Sequence, residues 1–211
     1  MVAAQIHLVR HGEVFNPDRV LYGRLPGFGL SERGHKMAAA AANDLLARDR
    51  KYGTLIASPL QRTQESAAPV AALLGLTPVL DERVIEPHNH FEGKQMRRAV
   101  LNPRNWPALR DPNLPSWGEP YGSIVTRMMA AIEHAWKTTS SGDAVIVSHQ
   151  LPIWMVHRYL ADEALRHDPR KRRCALSSIT TLEKVGDRFV EVEYRDPAAE
   201  LAAGSLDVGA V

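Results

Sequence analysis

Gln5-Ile6-His7-Leu8-Val9-Arg10-His11-Gly12 is a short run rich in branched residues that ends on an arginine, a histidine and a glycine. It reads as a buried strand delivering a turn. Two further stretches have the same form. Leu55-Ile56-Ala57 runs into Ser58-Pro59-Leu60-Gln61-Arg62, and the fully apolar Ala144-Val145-Ile146-Val147 ends at Ser148-His149. Pro78-Val79-Leu80 offers another short strand. Helices are predicted between them. Ser31 is placed to cap a helix running to about Arg48, in which Met37, Ala41 and Leu45, flanked by Ala38 and Ala42, form one apolar stripe. Ser58 as N-cap, Pro59 at the first helical position and Gln61 as capping-box partner predict a second helix, ending at Gly75. Val125, Met128, Ile132 and Trp136 share a helical face, and another helix is expected from about Pro152 to Leu160. The β-rich runs Ser178 to Lys184 and Arg188 to Tyr194 flank a Gly186-Asp187 turn.

Strands alternating with helices predict an α/β fold of three layers, α/β/α, with a mainly parallel central sheet, helices on both faces and a late antiparallel hairpin. Ligands of such sheets bind beyond the carboxyl ends of the strands. There the sequence gathers Arg10-His11, Ser58 to Arg62 and Ser148-His149. Residues 1–196 are expected to form one catalytic domain, with 87–120, rich in proline and carrying Trp106 and Trp117, as an insertion or lid ordered by aromatic packing. The Ala/Gly-rich residues 197–211 read as a flexible tail.

Composition narrows the function classes. The chain has 211 residues, 45% hydrophobic and 24% charged, a length at which roughly 70% of the unfolded surface can be buried. A formal net charge of +2 is too small for a generic polyanion binder, so anion recognition must come from local clustering. The lone Cys174 excludes an intramolecular disulfide framework and a cysteine-based structural zinc site, and points to a reducing, cytoplasmic setting. No secretory signal or run of 18 apolar residues is present, and a soluble protein is expected.

Phosphoryl transfer requires a nucleophile, cationic donors around the equatorial oxygens and an acid for the leaving oxygen. Leu8-Val9-Arg10-His11-Gly12-Glu13 resembles the first signature of the histidine phosphatase (phosphoglycerate-mutase-like) superfamily. Ser58-Pro59-Leu60-Gln61-Arg62-Thr63 resembles the second motif, Glu86 lies where the acid motif is expected, and Val147-Ser148-His149 resembles the last. Order and spacing match from Ile6 to Leu182. The resemblance implies that His11 is phosphorylated, that Arg10, Arg62 and His149 hold the phosphoryl group, and that Glu86 donates a proton. It also implies a phosphate contact from Asn16, which stands one residue earlier than in the mutases and also fits a turn before Pro17. Elementary chemistry agrees: imidazole attacks phosphorus when neutral, and Arg10, Arg62 and a protonatable His149 would disfavour a charged His11.

Other readings of these residues compete. Each arginine also fits a structural ion pair, and Asp81, Glu82 and Glu92 lie near Glu86. Glu86 is preferred because its distance before Phe91-Glu92-Gly93 fits the family pattern. Arg24, in the Tyr22-Gly23-Arg24 loop, fits either a substrate contact or a solvated loop residue. His88 and His90, with Glu86 and His149, suggest a metal set, but arginines in the same pocket would repel a cation, so neither metal nor cofactor is expected. The basic run Arg170-Lys171-Arg172-Arg173 lacks an aromatic platform or nucleic-acid motif, and reads as a solvated loop or a contact at the pocket rim.

A shorter chain than the cofactor-dependent mutases favours hydrolysis of a phosphate monoester over the mutase reaction. A non-catalytic phosphate- or phosphoprotein-binding module on the same fold is disfavoured, because a binder has no use for a positioned acid. The expected partner is a small phosphorylated metabolite as substrate, with no nucleic acid and no membrane, and the protein is expected to be a monomer or homodimer.

Overall fold

A computed structural model of the protein describes residues 2–99, 101–109, 118–205 and 207, with the backbone alone for Arg97. Trp117 and the prolines at 112 and 115 lie outside the described residues. The strands are β1 (Ile6–Arg10), β2 (Tyr52–Ala57), β3 (Pro78–Leu80), β4 (Asp143–Ser148), β5 (Ile179–Val185) and β6 (Arg188–Arg195). The helices are α1 (Glu32–Ala47), α2 (Gln61–Leu74), the short α3 (Met96–Ala99), α4 (Tyr121–Thr138) and α5 (Gln150–Leu160).

All six strands join one sheet in the order β3-β2-β4-β1-β5-β6. The pairs β3·β2, β2·β4 and β4·β1 are parallel, while β5 is antiparallel to β1 and β6 to β5. The expected three-layer α/β fold with a late hairpin is therefore the observed one. Alternation along the buried strands divides the core. Ile6, Leu8, Ala144 and Ile146 pack against α4 and α5, whereas Val9, Val145 and Val147 pack on the other face against Ala41, Ala42 and Leu45 of α1 and Ala67 and Val70 of α2. Covering both faces accounts for the continuous apolar runs of β1 and β4.

Local signals set most of the helix ends. Ser31 caps α1, its Oγ accepting from Gly34 N at 3.0 Å, and Gly75 ends α2 in the left-handed conformation at φ 67°. Ser58 does not cap α2. The helix begins at Gln61 with Leu60 in the N-cap position, and the Ser58 hydroxyl is engaged by His149 instead. Among the described residues of the 87–120 segment, Phe91 is buried and packs with Leu21, Ala99 and Met96, while Trp106 is 59% exposed. Further along, Ala198 is buried beside Met37 and Leu176, with Leu201 packed against them. Among the described residues no helix is long and apolar enough to cross a membrane.

Candidate active site

The parallel pairing of β1 and β4 sets Arg10 opposite Ser148, and His11 N donates to Ser148 O at 3.1 Å. Ser58 N donates to Val147 O at 3.0 Å, so the ends of β1, β2 and β4 meet at one sheet edge. The turn after β1 is fixed by close backbone packing. A Cβ on Gly12 would come within 2.4 Å of Gly34 O, at the start of α1, so only glycine fits there.

His11 and His149 lie with ring centroids 5.2 Å apart at an interplanar angle of 63°. His11 Nδ1 is 2.7 Å from Gly12 O. A carbonyl only accepts, so Nδ1 carries the hydrogen and the neutral ring keeps its lone pair on Nε2. Burial holds His11 well below its ordinary pKa, and the charges of Arg62 and Arg10 push it further down. His149 is likewise held well below its ordinary value, by burial first and then by Arg62, so the sequence-based picture of a protonatable His149 gives way to a neutral one. Its Nε2 shares a hydrogen bond with Ser58 Oγ at 2.8 Å, and its Nδ1 lies 3.6 Å from Glu86 Oε2.

Glu86 is buried and its carboxyl is pushed up to about 7, because desolvation outweighs the opposing charges of Arg62, Arg172, Arg10 and Arg127. It therefore keeps its proton well into the range where an ordinary glutamate is ionised. Arg62, at the second position of α2, is fully buried. Its Nη2 donates to Gly23 O at 2.8 Å, and its guanidinium lies 4.8 Å from the centre of the Tyr22 ring. The Tyr22 phenol is pushed up to about 12, chiefly by burial. Three buried nitrogens in this recess make no hydrogen bond: Nε of Arg10, Nε of Arg62 and Nδ1 of His149. Unpaired buried polar atoms are costly, and here they belong to two guanidinium groups and a neutral imidazole.

The structure thus brings together His11, His149, Arg10, Arg62 and Glu86. Arg24 supports this group from outside, its Nε donating to the Glu86 carbonyl at 2.5 Å. Among the described residues, the side chain of Asn16 bonds to Val20 and not to this group. Its amide nitrogen donates to Val20 O at 2.8 Å and its oxygen accepts from Val20 N at 3.2 Å, which closes the loop after Pro17. His90 packs edge-on to Phe91, and among the described residues no three His, Cys, Asp or Glu side chains converge as a metal site.

Some neighbours of the site were not singled out from sequence. Tyr22 has no motif beyond its place in a glycine-containing loop. Arg172 was hidden among four consecutive basic residues. Its Nε donates to His167 Nε2 at 2.8 Å and its Nη1 to Gln150 Oε1 at 3.2 Å. Arg173, by contrast, pairs with Glu191 and lies over Tyr194, and Arg170 pairs with Asp168.

The family model of the histidine phosphatase superfamily (branch 1) matches residues 6–197. The chain belongs to this superfamily. The superfamily's curated relatives include an uncharacterized protein of Mycobacterium tuberculosis, Rv0525, which is 52% identical over 198 residues, covering 92% of this chain and 97% of that protein. Phosphoserine phosphatase 1 of Hydrogenobacter thermophilus is 31% identical over 158 residues, covering 69% of this chain and 71% of that protein. Solved structures share the histidine phosphatase fold at lower identity. YhfR of Bacillus stearothermophilus superimposes with a TM-score of 0.77 at 24% identity, covering 90% of this chain and 96% of its own. The mycobacterial glucosyl-3-phosphoglycerate phosphatase Rv2419c gives 0.69 at 22% identity, covering 91% of this chain and 96% of its own.

Proposed function

We propose that the protein is a phosphatase that hydrolyses the phosphate monoester of a small metabolite through a phosphohistidine on His11, with Glu86 as proton donor. The observation that carries this reading is the convergence of His11, His149 and Glu86 with the unpaired Nε groups of Arg10 and Arg62 at one sheet edge. A histidine whose burial favours the neutral ring, with its lone pair on Nε2, and a carboxyl pushed up to about 7 share one arginine-lined site.

In the first step Nε2 of His11 attacks phosphorus, the N–P bond forms as the ester P–O bond breaks, and the Glu86 proton goes to the departing oxygen. Arg10, Arg62 and His149 hold the equatorial oxygens, for which their unpaired Nε–H groups and the His149 Nδ1 edge are available. In the second step the Glu86 carboxylate takes a proton from water, the water oxygen attacks phosphorus, and the N–P bond breaks to release phosphate and restore His11. Fixed guanidinium charges perform the neutralisation that a divalent ion performs elsewhere, so turnover is expected to survive chelators.

The test is a rapid acid-free quench during turnover of an aryl phosphate, with the labelled residue mapped by peptide analysis. Acid-labile phosphate on His11, lost in His11→Ala together with nearly all turnover, is the expected result. Phosphohistidine still formed by His11→Ala would overturn the assignment. Transfer of the group to an added phosphoglycerate in preference to water would replace the phosphatase by a mutase.

A further inference from the structure

Asp207 reaches the site. Arg10 is wholly buried at the end of β1, and the oxygens of Asp207 engage its two terminal nitrogens, Oδ2 on Nη1 at 2.8 Å and Oδ1 on Nη2. The second Nη1 hydrogen goes to the carbonyl of Cys174 at 2.6 Å. A guanidinium has five N–H groups in a rigid plane. Asp207 and Cys174 account for three of them, and the remaining pair, Nε–H and the second Nη2–H, lie on one edge of the plane. Nε has no partner. Arg10 pairs with Ser148 in the β1–β4 register, so it stands next to His11 in its own strand and beside the strand end that carries His149.

We propose that Asp207 is a positioning residue: by clamping the outer fork of Arg10 it fixes the guanidinium so that its Nε/Nη2 edge is the one presented to the phosphoryl group. This inference rests on the phosphoryl-binding role proposed above for Arg10. An arginine is long and has many rotamers, and a bidentate contact is only as good as the orientation of its plane. A carboxylate gripping both terminal nitrogens sets that plane in one step, and the Cys174 carbonyl removes the remaining rotation. Gln150 Nε2 approaches Asp207 Oδ2 at 3.4 Å, and the charge of Arg172 favours the ionised carboxylate. Its ionised form is secure: burial would raise the Asp207 pKa, but the charge and hydrogen bonds of Arg10, with Arg172, bring it below the ordinary carboxylate value. The Asp207 side chain is 37% exposed, whereas that of Arg10 is wholly buried.

A carboxylate on Arg10 could act in the opposite sense, as a stand-in that competes with the substrate's anion, and the two roles differ in sign. Removing a competitor strengthens anion binding; removing a clamp weakens it. The experiment uses the full chain carrying Asp207→Asn or Asp207→Glu, and a version ending at residue 205. It measures KM and kcat for p-nitrophenyl phosphate, the inhibition constant of vanadate, calorimetric binding of inorganic phosphate and the thermal midpoint. Asp207→Asn and the shortened chain are expected to raise KM and the vanadate constant by about 10- to 100-fold, the range for a misplaced binding group, with Asp207→Glu recovering part of the loss. Unchanged or tighter vanadate and phosphate binding would overturn the proposal, and so would a change confined to the thermal midpoint. If the unaltered chain hydrolyses nothing and forms no phosphohistidine, the catalytic reading fails by itself. Weaker phosphate binding by Asp207→Asn would still establish the clamp in that case.

Discussion

Glu86→Gln tests the electrostatics of the recess without reference to turnover. The Glu86 carboxyl moves from an ordinary 4.5 to about 7 on folding, because desolvation outweighs the surrounding arginines. The folded chain then binds this proton more tightly than the unfolded chain. Stability is therefore fully present below about pH 4.5, falls as pH rises, and levels off above about pH 7. At about 1.4 kcal/mol per pH unit, the full shift is worth about 3 kcal/mol. Glutamine fills the same volume and has no charge to desolvate. Relative to the original chain, the variant should be favoured by about 1 kcal/mol at pH 5 and about 3 kcal/mol at pH 8 through this linkage. Urea unfolding of both proteins across that interval measures the difference directly. Parallel stability curves would refute the raised pKa and with it the argument that Glu86 holds a proton at neutral pH.

The same variant has a kinetic signature. A proton donor matters in proportion to the basicity of the departing oxygen, so Glu86→Gln should slow phosphoenzyme formation from alkyl phosphates by about 10²–10⁴-fold while sparing nitrophenyl esters. Single-turnover measurements isolate that step from water attack, where the same carboxylate is proposed to act as base. Equal losses for both substrate types would remove Glu86 from the acid role and direct the test to Glu82 and Glu92.

Arg62→Ala removes a buried guanidinium with an unpaired Nε and should lower turnover by about 10²–10³-fold, the equivalent of about 3–4 kcal/mol of charge stabilisation; a loss below tenfold in steady-state assays would count against a phosphoryl contact. Asp143→Asn probes the opposite end of the sheet, where Asp143 Oδ2 lies 3.1 Å from His7 Nε2 and also pairs with Arg50. Burial opposes ionisation there, but Arg50 and His7 prevail and hold the Asp143 carboxyl at about 2, below its ordinary 3.8, so its contribution of about 2 kcal/mol is present above about pH 4 and lost as pH falls towards 2. Denaturant titration should find Asp143→Asn less stable at pH 7 by at least that amount, with the difference shrinking in acid, and kcat for p-nitrophenyl phosphate unchanged.

The architecture was legible because the local and global signals agree. The runs at β1 and β4 are apolar on both faces because the sheet is covered on both, and the Met37-Ala41-Leu45 stripe is the face that α1 buries. Ser58 shows where local reading fails. Ser-Pro-Leu-Gln satisfies each local rule for a helix start, yet the hydroxyl is claimed by His149, 91 residues away in the chain. A side-chain partner at that separation has no local signature. Arg172 and Asp207 failed to stand out for related reasons. One arginine in a run of four basic residues cannot be chosen by pattern, and an Ala/Gly-rich tail has no periodicity to announce an ion pair 197 residues from its partner. Asn16 was ambiguous because turn and ligand residues share the same chemistry, and its two bonds to Val20 are those of the turn.

Burial explains how one recess can hold a neutral base beside a neutral acid. Desolvation always disfavours the charged form, so it lowers the pKa of His11 and His149 and raises that of Glu86. The arginines act with burial on the histidines, since cation repels cation, but against it on Glu86, where burial still prevails. Arg10 and Arg62 remain charged because a guanidinium does not release its proton in a protein, so the recess keeps cationic groups while burial favours the neutral forms of His11, His149 and Glu86. A phosphate dianion entering the recess is stabilised by the arginines, and its own negative charge adds to the forces that keep the proton on Glu86. Once the proton has left with the alcohol, the new Glu86 carboxylate lies in the field of Arg62 and Arg172, which lowers the penalty of its ionisation in time for it to receive a proton from water. Under the proposed mechanism, the surroundings that hold Glu86 as an acid before the transfer therefore also support it as a base after it.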